Sequence, residues 1–160
     1  MKSLVVFYSL TGKTRLAAQA IGESLDAEIA EIEEAQARRT GFPVYLAGGF
    51  AAIMNKGSKI KPITVDIDQY DRVFVGSPVW ASRPTPAINS FIYGTNLEGR
   101  TVIPFVTLGG ESSRAPLANM TAKIQKRGGT VPGSFAVTTN QVSDKEIATR
   151  VRDAVSRLSK

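Results

Sequence analysis

The sequence predicts an α/β fold: an open, doubly wound sheet of five parallel strands with helices on both faces. Short apolar runs alternate along the chain with segments of helical periodicity, which is typical of this class. The strongest runs are apolar at nearly every position, as expected when both faces of a parallel sheet are covered. Right-handed crossovers would then place helices on both sides. At 160 residues, the chain is long enough for one core, so a single domain over residues 1–160 is expected.

Five segments are predicted to be strands. In chain order they are residues 3–9, 26–34, 72–77, 101–108 and 130–138. The second segment alternates and has little apolar content, so we expect it near an edge of the sheet. Pro104 lies inside a run that should be central, where it would remove a donor from the ladder. A bulge or a missing hydrogen bond is therefore expected there.

Helical patterns fill the spaces between these strands. They cover residues 14–25, the second half of 43–57, a segment from Pro84 and Pro86 to Ile92, one from Pro116 to Gly128 and Gly129, and the C-terminal segment after the capping box 143-SDKE-146. Each of these has an apolar stripe that could cover the sheet.

Composition excludes several functional classes. The chain has no Cys and no His, so disulfides, zinc–thiolate sites, thiol catalysis and Ser-His triads are excluded. No catalytic or metal-ligating residue is predicted. The formal net charge is +6, but the basic clusters do not interleave with aromatics, which disfavours nucleic-acid binding. No run reaches the roughly 18 apolar residues of a membrane span, and no signal peptide is recognisable, so a cytoplasmic location is expected.

The first predicted strand ends in the stretch 9-SLTGKT-14, the first loop. Ligands of doubly wound sheets bind outside the carboxyl ends of the strands, where the strand order reverses. Ser9, Thr11 and Thr14 supply hydroxyl groups, Gly12 permits a tight turn, and Lys13 adds a positive charge. The following helix directs its free N–H groups into the same loop. This combination favours a phosphate group.

Three other interpretations of the first loop compete with a phosphate site. A nucleotide P-loop requires a glycine five positions before Gly12, where this chain has Phe7. The next strong strand ends in Gly76-Ser77-Pro78, with no acid to hold magnesium, and the dinucleotide motif G-x-G-x-x-G is absent. A simple helix N-cap stays open on the evidence of this loop alone.

Two further strand ends should meet the first loop. The second loop, 76-GSPVWASRP-84, carries the only Trp of the chain and should be exposed, although core packing is the alternative for that side chain. In the third loop, 107-TLGGESS-113, two glycines would let backbone amides face a ligand, and a plain turn is the alternative. The three loops together predict a site for a phosphorylated planar ring.

The chain resembles the flavodoxin family of FMN proteins, in its short form. The resemblance covers essentially the whole chain and rests on 9-SLTGKT-14, on 70-YDRVFVGSPVWASRPTPAINSFI-92 and on 106-VTLGG-110. It implies FMN as cofactor and a parallel sheet of strand order 2-1-3-4-5, with FMN at the switch point.

The resemblance also implies roles for individual residues. The phosphate would be held by Ser9, Thr11, Gly12, Lys13 and Thr14. The isoalloxazine ring would be lined by Pro78, Val79, Trp80 and Ala81, with Trp80 stacked on it. The pyrimidine edge would meet backbone groups of Thr107, Leu108, Gly109 and Gly110.

Three functions remain open at this point. The resemblance favours an electron-transfer protein that shuttles electrons between redox proteins, whose docking surfaces would be acidic because this chain is basic. The alternative is an FMN-dependent NAD(P)H:quinone-type reductase acting on a small acceptor, since the third loop has no aromatic residue to cover the second flavin face. The last is a flavodoxin-like interaction module without flavin.

Overall fold

A parallel β-sheet with helices on both faces forms the centre of the structure. The computed structural model describes residues 1–36, 56–110 and 112–158. Its elements are β1 (Ser3–Phe7), α1 (Lys13–Leu25), β2 (Glu28–Glu31), a 3₁₀ helix (Ile67–Gln69), β3 (Arg72–Trp80), β4 (Arg83–Pro84), α2 (Pro86–Gly94), β5 (Thr101–Leu108), α3 (Arg114–Lys126), β6 (Phe135–Thr138) and α4 (Asp144–Leu158). The helical prediction for residues 43–57 lies outside the described residues except at its last two positions.

The strand order confirms the predicted topology. The parallel strands are arranged β2-β1-β3-β5-β6, which is 2-1-3-4-5 when the two-residue β4 is left out. The sequence analysis missed β4, which pairs antiparallel with the end of β3. The chain leaves β1 towards β2 on one side and later returns to β3 on the other side. A crevice therefore opens at the carboxyl ends of β1 and β3.

Two apolar clusters lie on opposite faces of the sheet. On one face, α1 and α4 cover Val5, Phe74 and Phe105. On the other face, α2 and α3 cover residues such as Val6 and Val75. Each fully buried side chain of this size contributes about 1.5–3 kcal/mol. The two clusters explain why the strand sequences are apolar at successive positions.

Pro104 fits into β5 without a bulge. The register between β3 and β5 is continuous, and Pro104 lies opposite Val75. Val102 donates its N–H to the Thr130 carbonyl at 2.8 Å, so the nitrogen two residues later faces the same side of the strand. The ladder to β6 begins only at Phe105. The expected bulge is therefore absent, and the missing N–H lies where no neighbouring strand would use it.

Strand boundaries differ from the sequence predictions in four of the five strands. The first strand ends at Phe7 rather than at residue 9. The strand predicted over residues 26–34 is shorter and spans Glu28–Glu31. The last strand begins at Phe135, because Pro132 and Gly133 interrupt the predicted segment after an isolated bridge between Thr101 and Thr130. The strand predicted over residues 72–77 continues to Trp80, because β4 pairs with its end.

The predicted helix start at residue 143 is confirmed. Ser143 precedes α4, and its Oγ accepts a hydrogen bond from the Glu146 N–H at 3.2 Å, which is one of the two bonds of a capping box. No helix among the described residues is long and apolar enough to cross a membrane.

Candidate functional site

A cavity of about 420 Å³ lies at the carboxyl ends of the central strands. It is lined by Leu10, Thr11, Lys13, Thr14, Pro78, Val79, Trp80, Ala81, Thr107, Leu108, Gly109 and Thr139. Small-molecule sites typically measure roughly 300–1,000 Å³. The structure therefore brings the three predicted loops together around a space of ligand size.

Three of the predicted site residues lie outside this lining. Ser9 supports the loop instead, because its Oγ accepts the Gly12 N–H at 3.1 Å. Gly12 forms the turn before α1, and Gly110 is exposed beyond the last lining residue of the third loop.

The sequence analysis missed Leu10 and Thr139. Leu10 lies within the first loop but has no polar group, which is why a search for phosphate ligands passed over it. Thr139 directly follows β6, and its N–H donates to the Leu108 carbonyl at 2.9 Å. The rule that ligands lie at carboxyl ends of strands, applied to β6 as well, would have indicated Thr139.

The N-terminus of α1 points its free N–H groups at the cavity. The cap residue Gly12 has φ 95°, a conformation that favours glycine, and no side chain caps the helix. The hydrogen bond from the Leu16 N–H to the Gly12 carbonyl, at 3.0 Å, is the first of the helical series. The N–H groups of residues 13–15 precede it, so this end of the helix can bind an anion.

Lys13 is held between the cavity and the last helix. It lines the cavity, while its Nζ donates to Asp144 Oδ1, in the first turn of α4, at 2.8 Å. Both side chains are accessible to solvent, so the ion pair contributes at most about 1 kcal/mol to stability.

A buried hydroxyl pair links the first and third loops. The Oγ1 atoms of Thr14 and Thr107 lie 2.8 Å apart, and the two residues are only 2% and 4% exposed. The bond joins the first turn of α1 to the end of β5, which fixes two walls of the cavity relative to each other.

Trp80 is a strand residue and not part of an exposed loop, so that expectation was wrong. It is the last residue of β3, is 7% exposed, and pairs with Arg83 of β4. Its ring packs edge-on against Tyr8, with centroids 5.9 Å apart and planes at 87°. Trp80 therefore belongs to the core and also forms a wall of the cavity.

The turn between β3 and β4 has strained backbone. Ala81 and Ser82 have φ of 47° and 60°, as in a two-residue type I′ hairpin, where Asn and Gly are preferred. The base of the hairpin is anchored by Ser77, whose Oγ accepts the Thr85 N–H at 2.9 Å in fully buried surroundings. Ala81 is thereby held at the cavity.

Positive charge lies behind this hairpin. Lys123 of α3 is 6% exposed, and its Nζ donates to Asn89 Oδ1 of α2 at 2.6 Å. Burial, with a smaller contribution from the nearby Arg83 guanidinium, lowers the pKa of Lys123 to about 8.

Comparison with known proteins places this architecture among flavoproteins. A flavoprotein in complex with FMN from Lactobacillus acidophilus NCFM superposes with a TM-score of 0.79 at 21% identity, covering 99% of each chain. A protein from Bacteroides eggerthii DSM 20697 gives a TM-score of 0.72 at 27% identity, covering 97% of this chain and 98% of the other. A flavodoxin, WrbA-like protein from Agrobacterium tumefaciens gives 0.63 at 16% identity, covering 98% of each.

No curated protein sequence matches the chain. The family model described as flavodoxin matches residues 51–148, which is more than half of the chain. This segment contains β3 to β6 and the second and third loops, and therefore two of the three walls of the cavity. The chain belongs to the flavodoxin family.

Proposed function

We propose that the chain binds FMN in this cavity and transfers electrons between redox proteins. The observation that carries the proposal is that two chemically different surfaces line the same cavity. One end has the uncapped N-terminus of α1 with its hydroxyls and Lys13, and the other has Trp80 beside backbone of the third loop. The first surface suits a phosphate dianion and the second suits a planar ring.

The phosphate would be held by the first loop. Thr11 and Thr14 line the cavity with hydroxyl donors, and the N–H groups of the first turn add backbone donors. Ser9 and Gly12 act indirectly, because the bond between them shapes the turn.

The ring would lie against the hairpin and the third loop. Trp80, Pro78 and Val79 provide apolar contacts, and Gly109 leaves backbone groups accessible. Bound FMN would supply the electron-transfer chemistry, while the protein orients the ring and excludes water from it. The proposal includes a cytoplasmic location and redox partners with acidic docking surfaces, which would complement the net charge of +6.

Comparison of FMN with riboflavin tests the phosphate site. The two ligands differ only in the phosphate, so the wild-type protein should bind FMN far more tightly. Thr11→Ala removes a donor worth about 1.5–3 kcal/mol and should weaken FMN binding about tenfold or more, with little effect on riboflavin. Thr64→Ala, at an exposed threonine outside the cavity, is the matched control. Equal affinity for the two ligands would contradict the assignment.

A reductase of small quinone-like acceptors is the second candidate. The observation favouring it is that residues 107–113 contain no aromatic side chain, so the third loop offers no second ring to cover a bound flavin. Steady-state assays with reduced nicotinamide and a quinone separate the two functions. Rapid turnover without a protein partner would favour the reductase. Reduction only through a partner protein would favour electron transfer.

A further inference from the structure

We propose that Tyr8 and Glu34 are positioning residues that fix the indole ring of Trp80 as a wall of the cavity. The inference rests on the proposed function only in its consequence for FMN affinity. The three side chains are each at least nine-tenths buried: Tyr8 is 6% exposed, Trp80 7% and Glu34 9%.

Tyr8 and Trp80 lie in the same buried cluster, and their rings are in contact at the end of β3. The strands β1 and β3 are neighbours, and Tyr8 follows β1 with its N–H donating to the Gly76 carbonyl at 3.1 Å. The backbone of Tyr8 is therefore fixed to the same strand that carries Trp80. The edge-on packing of their rings depends strongly on orientation, because the positive edge of one ring faces the negative face of the other.

Glu34 fixes the far end of the tyrosine. Its Oε2 accepts the Tyr8 hydroxyl at 3.1 Å in a buried setting. A hydrogen bond to a carboxylate is stronger than one between neutral groups when the carboxylate is ionised. The phenol ring is thus held at both ends, by Trp80 along its body and by Glu34 at its tip.

Glu34 is in turn fixed by backbone pairing. It forms a bridge with Ile60, flanked by hydrogen bonds from the Ala35 N–H to the Lys59 carbonyl and from the Lys61 N–H to the Glu33 carbonyl, both at 2.8 Å. The backbone that carries the acceptor is therefore held independently of the phenol ring. This makes a continuous support from the backbone pair through Glu34 and Tyr8 to Trp80.

A preformed wall should raise ligand affinity. When a side chain is already ordered before binding, its entropy loss is not subtracted from the binding free energy. Removing the tyrosine hydroxyl releases the tip of the phenol, and the indole that packs against it gains freedom. FMN would then have to order Trp80 as it binds.

The test compares Tyr8→Phe with Tyr70→Phe. Tyr70 is a matched control, because it is buried in the same apolar cluster and its hydroxyl also donates to a glutamate, Glu28. Trp80 is the only tryptophan, so two signals report on this ring: fluorescence anisotropy excited at the long-wavelength edge of the near-UV, and circular dichroism at the same edge, where indole absorbs and phenol hardly does. In ligand-free protein, Tyr8→Phe should lower the anisotropy and the aromatic dichroism of Trp80, and Tyr70→Phe should leave both unchanged. Tyr8→Phe should also weaken FMN binding about three- to tenfold.

Glu34→Gln provides a second variant that keeps an acceptor oxygen. It should retain most of the Trp80 signal. Glu34→Ala removes the acceptor and should lower the Trp80 anisotropy and dichroism as Tyr8→Phe does. If Tyr8→Phe does not fold, Glu34→Ala carries the test. Identical Trp80 spectra in wild type, Tyr8→Phe and Glu34→Ala would overturn the inference. A wild-type protein that binds no FMN would refute the proposed function instead, and the ligand-free spectra would still decide the role of Tyr8 and Glu34.

Discussion

The stability of the protein should depend on pH through the buried Lys123. The pKa of this group falls from its ordinary value of 10.5 to about 8 in the folded protein, chiefly because of burial. Between these two values the unfolded chain binds more protons than the folded chain, so stability rises with pH across this window. A difference of about 2.5 in pKa corresponds to about 3 kcal/mol. The Lys123 ammonium lies 5.5 Å from the centre of the Tyr93 ring, which is 46% exposed. Water around this ring screens part of the electrostatic effect, so we expect the stability to change by about 2–3 kcal/mol.

The assay is urea denaturation of wild type and Lys123→Met at intervals from pH 7 to pH 11. The variant loses the titrating group and leaves Asn89 Oδ1 without this donor, an effect that does not change with pH. The difference in unfolding free energy between wild type and variant should therefore rise through the window and be flat below it. Lys126→Met, at an exposed lysine of the same helix, controls for the loss of one positive charge. A difference that is constant across the range would refute the reasoning.

Three further substitutions test the packing around the cavity. Ser77→Ala leaves the buried Thr85 N–H without its acceptor and should lower the unfolding free energy by about 1–3 kcal/mol in urea denaturation; an unchanged midpoint would show that another acceptor replaces it. Ser82→Gly relieves a positive φ and should raise the melting temperature, with a net gain of about 0.5–1 kcal/mol after the extra entropy of glycine; a lower melting temperature would mean that the turn is unstrained. Gly76→Ala drives a Cβ atom into the Phe105 ring and should cost about 1–3 kcal/mol by calorimetry; wild-type stability would show that the ring moves aside freely.

The topology was predictable because burial of both sheet faces leaves a clear pattern in the sequence. β1 and β5 are apolar at nearly every position, and both were assigned from that pattern. The end of β3 was not predictable by the same means. Its extension depends on pairing with β4 through a turn whose sequence, Ala81-Ser82, lacks the Asn or Gly that normally indicates a type I′ hairpin.

The location of the candidate site was predictable, but the details of its walls were not. The first loop follows a general rule about strand ends and helix N-termini, and Thr11, Lys13 and Thr14 do line the cavity. The hydroxyl bond between Thr14 and Thr107 joins positions 93 residues apart, and no local pattern encodes it. The same holds for Trp80, whose contact with Tyr8 depends on the pairing of β1 with β3.

The ion pair between Lys13 and Asp144 gives the cavity an internal competitor for anions. Where an incoming anion displaces this carboxylate from the Lys13 ammonium, its net gain is one ion pair formed less one ion pair lost. The displaced carboxylate keeps a favourable position, because Asp144 stays in the first turn of α4, next to the positive end of that helix. The helix dipole therefore offsets part of the ion pair that Asp144 loses. The last helix thereby adjusts the affinity for an anion, although no described residue of α4 lines the cavity.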